Sequence, residues 1–243
     1  MKRSFSTDQP EFMDVTQDGG AALEQDLRGL EDLNARFGGH DAVRGFLARW
    51  LEPRAHAHPQ TKWRILDLAT ASGDIPRMIV DWARARKIEV EIDAVDFNAA
   101  TLEIARRRGA AYPEIRFIHA DILEYDNDAP HDIVICSQAL HHFSKADAVR
   151  VLARCAALSR GAVLVFDLRR RRLGQFVVWL LTATIYRAGM IAYDSRLSIR
   201  RAFTPDELRA LARSAGWKDF EHRAFFPVHQ ALWLEKSSEG LKN

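Results

Sequence analysis

The chain has 243 residues, 47% of them apolar and 28% charged, with a formal net charge of +2. Such a composition supplies a sizeable core and excludes disorder, and the near-neutral balance excludes a polycation built for nucleic acid. The two cysteines, Cys136 and Cys155, sit in no Cys-x-x-Cys or Cys/His spacing, so neither a disulfide framework nor a zinc site is expected, and a cytoplasmic, reducing location is the default.

Residues 1–18 are polar, lack the apolar run of a secretory signal, and are expected to be flexible. Leu23, Leu27, Leu30, Leu33 and Phe37 then recur at helical spacing until Gly38-Gly39, and Val43, Phe46, Leu47 and Trp50 mark a second helix ending near Pro53. These two predict a helical cap over 19–60, closed by a linker at Arg54–Lys62. From 61 to 168 strands and helices alternate. The strands are expected at Arg64–Leu68, Glu89–Val95, Ile115–His119, Asp132–Ser137 and Ala162–Phe166. The helices fall at Asp74–Arg86, Asn98–Arg108 and Ser144–Ser159. This alternation predicts a Rossmann-like α/β fold, a mostly parallel sheet with helices on both faces and ligands at one strand edge.

Residues 169–203 form an apolar insertion headed by Arg169, Arg170, Arg171 and Arg172. Its apolar stretch Phe176–Ile185 is too short for a membrane span of about 20 residues. It reads either as core or as a lid over a lipophilic ligand, and its basic flank would let it make a peripheral membrane contact. The tail, 204–243, opens with the helix-start signal Thr204-Pro205-Asp206-Glu207 and ends in two strands, Trp217–Ala224 and Gln230–Glu235, that form a hairpin.

The chemistry concentrates at strand ends. In Ile65-Leu-Asp-Leu-Ala-Thr-Ala-Ser-Gly-Asp74 a strand enters a loop of small residues and then a helix, which allows close backbone approach to a ligand. Asp67 there would repel a phosphate and attract an ammonium or sulfonium group. Asp96 closes the next strand and can accept two ribose hydroxyls. Asp121, followed by Ile122, closes the third and can take a hydrogen bond from an adenine amino group while the isoleucine packs on the ring. Each acid alone reads equally well as a turn or helix cap; the three in order are the signal.

With these residues in place, the chain resembles the class I S-adenosylmethionine (SAM)-dependent methyltransferase family over about residues 60–168. The family's glycine-rich motif appears as Asp67-Leu68-Ala69-Thr70-Ala71-Ser72-Gly73, with alanine at two of its three glycine positions. The resemblance implies SAM as cofactor, with Ala69, Ala71 and Gly73 on its methionine side, Asp96 and Phe97 at the ribose, Asp121 and Ile122 at the adenine, and Ser137, Gln138 and Arg36 nearby. It also implies a seven-stranded sheet. Pro10-Glu-Phe-Met-Asp14, Leu33-Asn-Ala-Arg36 and Gly38-Gly39 resemble a bacterial subgroup acting on phenolic, quinone-like or polyketide products.

The expected activity is direct in-line methyl transfer to a small, hydrophobic or phenolic acceptor, with no metal required. His141 and His142 are the candidates for a base, against a local packing role. Asp194 and Trp179 are the candidates for acceptor contact, against a polar loop and a core helix. Two other readings remain open on the residues: a non-catalytic relative, favoured by the two alanines, and an NAD-dependent oxidoreductase, disfavoured by the missing G-x-G-x-x-G. Nothing in the pattern speaks to oligomeric state.

Overall fold

A seven-stranded sheet in the order β3-β2-β1-β4-β5-β7-β6 organises the molecule. The computed structural model describes residues 2–6, 8–15, 20–127, 129–186 and 190–236. The elements run α1 (Phe12–Val15), α2 (Ala21–Arg36), α3 (Gly39–Ala57), β1 (Trp63–Leu68), α4 (Asp74–Arg86), β2 (Val90–Asp96), α5 (Ala99–Arg108), β3 (Ile115–His119) and β4 (His131–Ser137). They continue with α6 (Lys145–Leu158), β5 (Ser159–Leu168), α7 (Arg172–Thr184), α8 (Met190–Arg201), α9 (Pro205–Ser214), β6 (Phe220–Phe225) and β7 (His229–Glu235). Strands β1 to β5 pair in parallel, and β7 runs antiparallel to both β5 and β6.

The period of two in the strands explains the layers. Ile65, Ile133, Ile135, Leu164, Phe166 and Trp233 point to one face and meet Phe46, Trp50 and Ile79 of α3 and α4. Leu66, Leu68, Val134, Cys136, Val163 and Val165 point to the other and meet Leu152, Leu208 and Trp217. Central strands are therefore apolar on both faces, whereas the edge strands β3 and β6 alternate in exposure. The chain order reverses between β1 and β4, and at this switch point their following loops diverge to leave a crevice.

Local signals set most helix starts. Asn98 accepts the N–H groups of Ala100 and Thr101, Ser144 accepts that of Asp147, and Thr204 with Glu207 forms a reciprocal capping box. Pro53 is an exception: α3 continues through it to Ala57, so the expected linker is shorter at its start. Tertiary packing explains this. Ala55 is buried in the core, and the Arg54 guanidinium donates to the Trp50 carbonyl and lies over its ring. Those contacts outweigh the roughly 3 kcal/mol that an interior proline costs.

Two further expectations change. Tyr193–Ser198, one reading of which was a polar loop, lies within α8. Arg170 is not part of a solvated basic run: it is buried, makes a bidentate pair with Glu207 at 2.8 and 2.9 Å, and donates to the Ala202 carbonyl. Of the four arginines only Arg171 and Arg172 are exposed. Part of the segment expected to be flexible, 1–18, lies outside the described residues. Its described part packs against α8 and the loop after β4 through Arg3 and Glu11.

Candidate active site

At the carboxyl edge of β1, β2 and β4 lies a cavity of about 480 Å³. The loop after β1 forms its floor, and the conformation there is unusual. Ala69 has φ 60°, Ala71 φ 48° and Gly73 φ 71°. The left-handed region suits glycine and costs an alanine roughly 1–2 kcal/mol. The two alanines thus adopt the conformation that glycine takes freely. The loop keeps its shape because Asp96 Oδ2 accepts the Ala71 N–H at 2.8 Å and the Val95 carbonyl accepts that of Thr70 at 2.9 Å.

Asp67 sits at the end of β1, on the strand parity of Ile65, and is buried. Neither of its carboxylate oxygens is engaged in a well-formed hydrogen bond. Burial drives its pKa up to about 8; the Thr70 hydroxyl works in the opposite sense, and Asp74 and Asp96 add to the rise. A buried, unpaired acid in a cavity is costly unless a cation pairs with it. The donor set therefore fits an ammonium-bearing ligand.

The remaining cofactor candidates divide. Asp96 is buried and also accepts the Asn98 N–H, so it serves the loop as well as the cavity; burial raises its pKa. Ile122 is buried, whereas Phe97 is 52% exposed at the rim. Asp121 lines the cavity and accepts the Leu123 N–H at 2.8 Å, closing a turn. Gln138 adopts φ 52° and donates to Asn34, and the Ser137 hydroxyl is buried and unpaired. Arg36 is not brought to the site. It ends α2 with its side chain 68% exposed near Asp32, while Asn34 and Phe37 of the same turn line the cavity.

Helix α2 closes the side of the cavity next to the β1 loop. Glu31 accepts from Ser72, Arg77 and Arg108, each at 2.7 Å, which fastens α2 to the β1 loop, α4 and α5. Asn34 donates to Asp74 Oδ2 at 3.0 Å, and His40 meets the same oxygen at 3.0 Å.

On the other side the wall is apolar. Leu168, Val177, Val178, Leu181 and Tyr186 line it. Trp179 does not: it is 53% exposed and stacks on Phe176 on the outer face of α7. A helix apolar all round cannot reveal from sequence which side faces inward. Asp194 is buried, lines the cavity and accepts the Phe12 N–H at 2.9 Å.

His141 and His142 both line the cavity, each with Nδ1 held by a carboxylate. His141 Nδ1 is 2.6 Å from Asp167 Oδ1, and His142 Nδ1 is 2.9 Å from Asp14 Oδ2. Burial disfavours a charged His142, but Glu11 and Asp14 prevail and raise its pKa to about 9. Glu11, Asp14 and Asp167 were not singled out from the sequence. Glu11 and Asp14 lie within the quoted Pro10–Asp14 phrase, and their approach to residues 141 and 142 spans more than a hundred positions. His229, another cavity residue, is buried against Phe166, and burial lowers its pKa to about 4.

Residues 65–161 match a family model described as a methyltransferase domain. The 2-phytyl-1,4-naphtoquinone methyltransferase of Thermosynechococcus vestitus is 30% identical over 196 residues, covering 76% of this chain and 83% of that one. Human N-acetylserotonin methyltransferase, solved with SAM, superposes with a TM-score of 0.67 at 16% identity, over 95% of this chain. This chain spans 60% of that enzyme's length. A plantazolicin methyltransferase, solved with S-adenosylhomocysteine, gives a TM-score of 0.65 at 12% identity, covering 88% of this chain and 90% of that one. Strand order, antiparallel tail and small-residue loop agree with these relationships, and the chain belongs to the class I SAM-dependent methyltransferase family, with SAM as its cofactor.

Proposed function

We propose that the protein transfers the SAM methyl group to a small, hydrophobic acceptor carrying a phenolic or quinol-type hydroxyl. The observation that carries this reading is the division of one cavity. Its floor holds the unpaired Asp67 and the left-handed loop, its opposite wall is the apolar face of α7, and His141 and His142 line the same space. In this reading Asp67 pairs with the cofactor's ammonium, Asp96 takes the ribose, and Asp121 with Ile122 holds the adenine.

Bound SAM supplies a methyl group already activated on a sulfonium, so the chain chiefly aligns and desolvates the reactants for direct in-line displacement. The apolar wall excludes water, which strengthens the electrostatic contacts inside. His141, oriented by Asp167, is placed to hold the acceptor's proton. The Thermosynechococcus relative is named for a naphthoquinone with a phytyl chain, a class of acceptor this wall suits. On the outer face of α7, Leu173, Phe176, Trp179 and Leu180 are exposed beside Arg171 and Arg172. That surface supports a peripheral contact with an anionic membrane, where such acceptors reside.

Calorimetry with SAM, S-adenosylhomocysteine and NADH tests the cofactor half. Incubation with SAM and a panel of hydroxylated aromatics and quinols, read by mass spectrometry, tests the acceptor half. Heat with NADH alone would refute the first, and methylation confined to polar, non-aromatic acceptors would refute the second.

A further inference from the structure

Glu11, His141 and His142 place three potential ligand atoms within 4.8 Å of one another beside the cavity. The detailed geometry is specific. His141 Nε2 lies 3.9 Å from Glu11 Oε1, and His142 Nε2 lies 3.8 Å from Glu11 Oε2. Both distances are too long for hydrogen bonds. Each imidazole has its Nδ1 against a carboxylate, Asp167 for His141 and Asp14 for His142. With Nδ1–H donating to these acids, each ring turns its Nε2 toward a Glu11 oxygen, a position that a proton or a metal ion can fill. A buried carboxylate facing two Nε2 atoms across a gap calls for a cation between them, either a proton on the imidazole or a metal ion.

A second observation points the same way. Glu11 is 1% exposed, and its Oε1 is buried without a hydrogen-bond partner, although Ser198 donates to Oε2 at 2.8 Å. The surrounding charges do not remove the need. Arg201 approaches Glu11 Oε1 at 3.6 Å, and Arg3 lies within electrostatic reach of Asp167. Glu11, Asp14 and Asp167 outnumber these two guanidinium groups by one charge, which a protonated His142 supplies unless a metal ion takes its place.

We propose that Glu11, His141 and His142 bind one divalent first-row transition-metal ion, in the manner of a two-histidine, one-carboxylate site with open positions toward the cavity. Ligand bonds of about 2.0–2.2 Å at octahedral or tetrahedral angles put two ligands of one ion about 2.8–3.6 Å apart. The 3.8 and 3.9 Å separations, one to each Glu11 oxygen, and a widest pair within 4.8 Å therefore close by several tenths of an ångström to about one ångström when an ion binds. The Asp167–His141 and Asp14–His142 contacts are the outer carboxylate–imidazole pairs that orient such ligands. The N/O donor set selects ions such as Zn²⁺, Co²⁺ or Mn²⁺ over Mg²⁺ and Ca²⁺. The site stands on its own geometry; its role toward an acceptor rests on the function proposed above. There the ion occupies His141 Nε2, so with metal bound the open positions, and not the imidazole, hold the acceptor oxygen, as its anion. The hydroxyl proton leaves to solvent, the oxygen lone pair forms the new O–C bond, and the C–S bonding pair returns to sulfur to give the neutral thioether.

Metal-stripped full-length protein titrated with Co²⁺ tests this, read by visible absorption and calorimetry, with SAM affinity measured separately. We expect one Co²⁺ per chain, bound at least tenfold more weakly by Glu11→Gln and by His142→Gln and unchanged by the exposed His56→Gln. Pulsed EPR of Cu²⁺-loaded wild-type protein should show two imidazole nitrogens, a readout independent of whether the variants fold. Absence of stoichiometric binding, or binding that persists in a Glu11→Gln/His142→Gln double variant, overturns the site and leaves imidazole protons in the place of the ion. Metal binding without SAM binding would instead overturn the methyltransferase reading and spare the site.

Discussion

The Asp96 carboxylate, at the end of β2, accepts the backbone N–H of Ala71 at 2.8 Å, across the mouth of β1. Asp96 therefore fixes a loop in which two alanines hold left-handed φ angles, besides facing the cavity. Replacing alanine by glycine ordinarily destabilises a folded protein by roughly 0.5–1 kcal/mol. Here relief of strain offsets that loss. The Ala69→Gly/Ala71→Gly variant should melt no lower than the parent, whereas Gly73→Ala, whose new Cβ would lie 2.8 Å from the Phe117 ring, should lose about 2 kcal/mol. A double variant melting several degrees lower in calorimetry would refute the strained loop.

Asp67 gives cofactor binding a pH dependence. Its folded-state pKa is raised to about 8 by burial, far above the ordinary carboxylate value. A raised acid favours the folded state while protonated, and that contribution is lost as pH rises from about 4 through 8. Pairing with an ammonium requires the ionised form. SAM affinity should therefore strengthen between pH 6 and 8, by up to about tenfold per unit, with proton release visible as a buffer-dependent heat. Asp67→Asn should abolish that release. A flat affinity profile without proton release would sink the assignment of Asp67 to the ammonium.

How much of this was legible beforehand depends on sequence distance. Asp67, Asp96 and Asp121 were legible as cavity residues because each lies at a strand end or in the loop after it, where alternation of strands and helices alone fixes the edge, whereas Gly73, expected beside them, does not line the cavity and faces Phe117. Asn34, Glu11 and Asp167 reach the site through contacts spanning 26 to 187 positions, which no local pattern encodes. Near misses have a simpler cause. Arg36 and Trp179 each sit one residue from true lining positions, Phe37 and Val178, and a shift of one residue rotates a helical side chain by roughly 100°. The φ angles of Ala69 and Ala71 were likewise invisible, because alanine gives no sign of the left-handed region.

Gly161 marks a close contact between α3 and the sheet. A Cβ there would lie 2.6 Å from the Asp132 carbonyl oxygen and 2.7 Å from the Trp50 ring. Neither neighbour is the free end of a flexible chain. Gly161→Ala should destabilise by about 1–3 kcal/mol in denaturant titration. A loss under about 0.5 kcal/mol, the range of an ordinary surface change, would mean α3 packs less closely than described.

The outer face of α7 predicts vesicle binding that depends on both apolar and basic residues. Wild-type protein should pellet with vesicles containing anionic phosphatidylserine and less with purely zwitterionic ones. Neutralising Arg171 and Arg172 should weaken binding about fivefold for each charge, and Trp179→Ala should weaken it further. Neutralising Arg170 should instead impair folding, because that guanidinium holds Glu207. Equal pelleting on both vesicle types, unaltered by the substitutions, would remove the membrane contact.

The packing beneath α7 has an evolutionary consequence. Val177 and Val178 rest on a small cluster, Leu168, Ile199, Ala202 and Val228, separate from the two clusters that hold the sheet. Changes on the inner face of this helix reshape the apolar wall proposed to receive the acceptor without disturbing the residues that define the fold or the loop after β1. Acceptor range and global stability can consequently drift independently, so an ancestral scaffold of this kind can acquire new acceptors one helix face at a time.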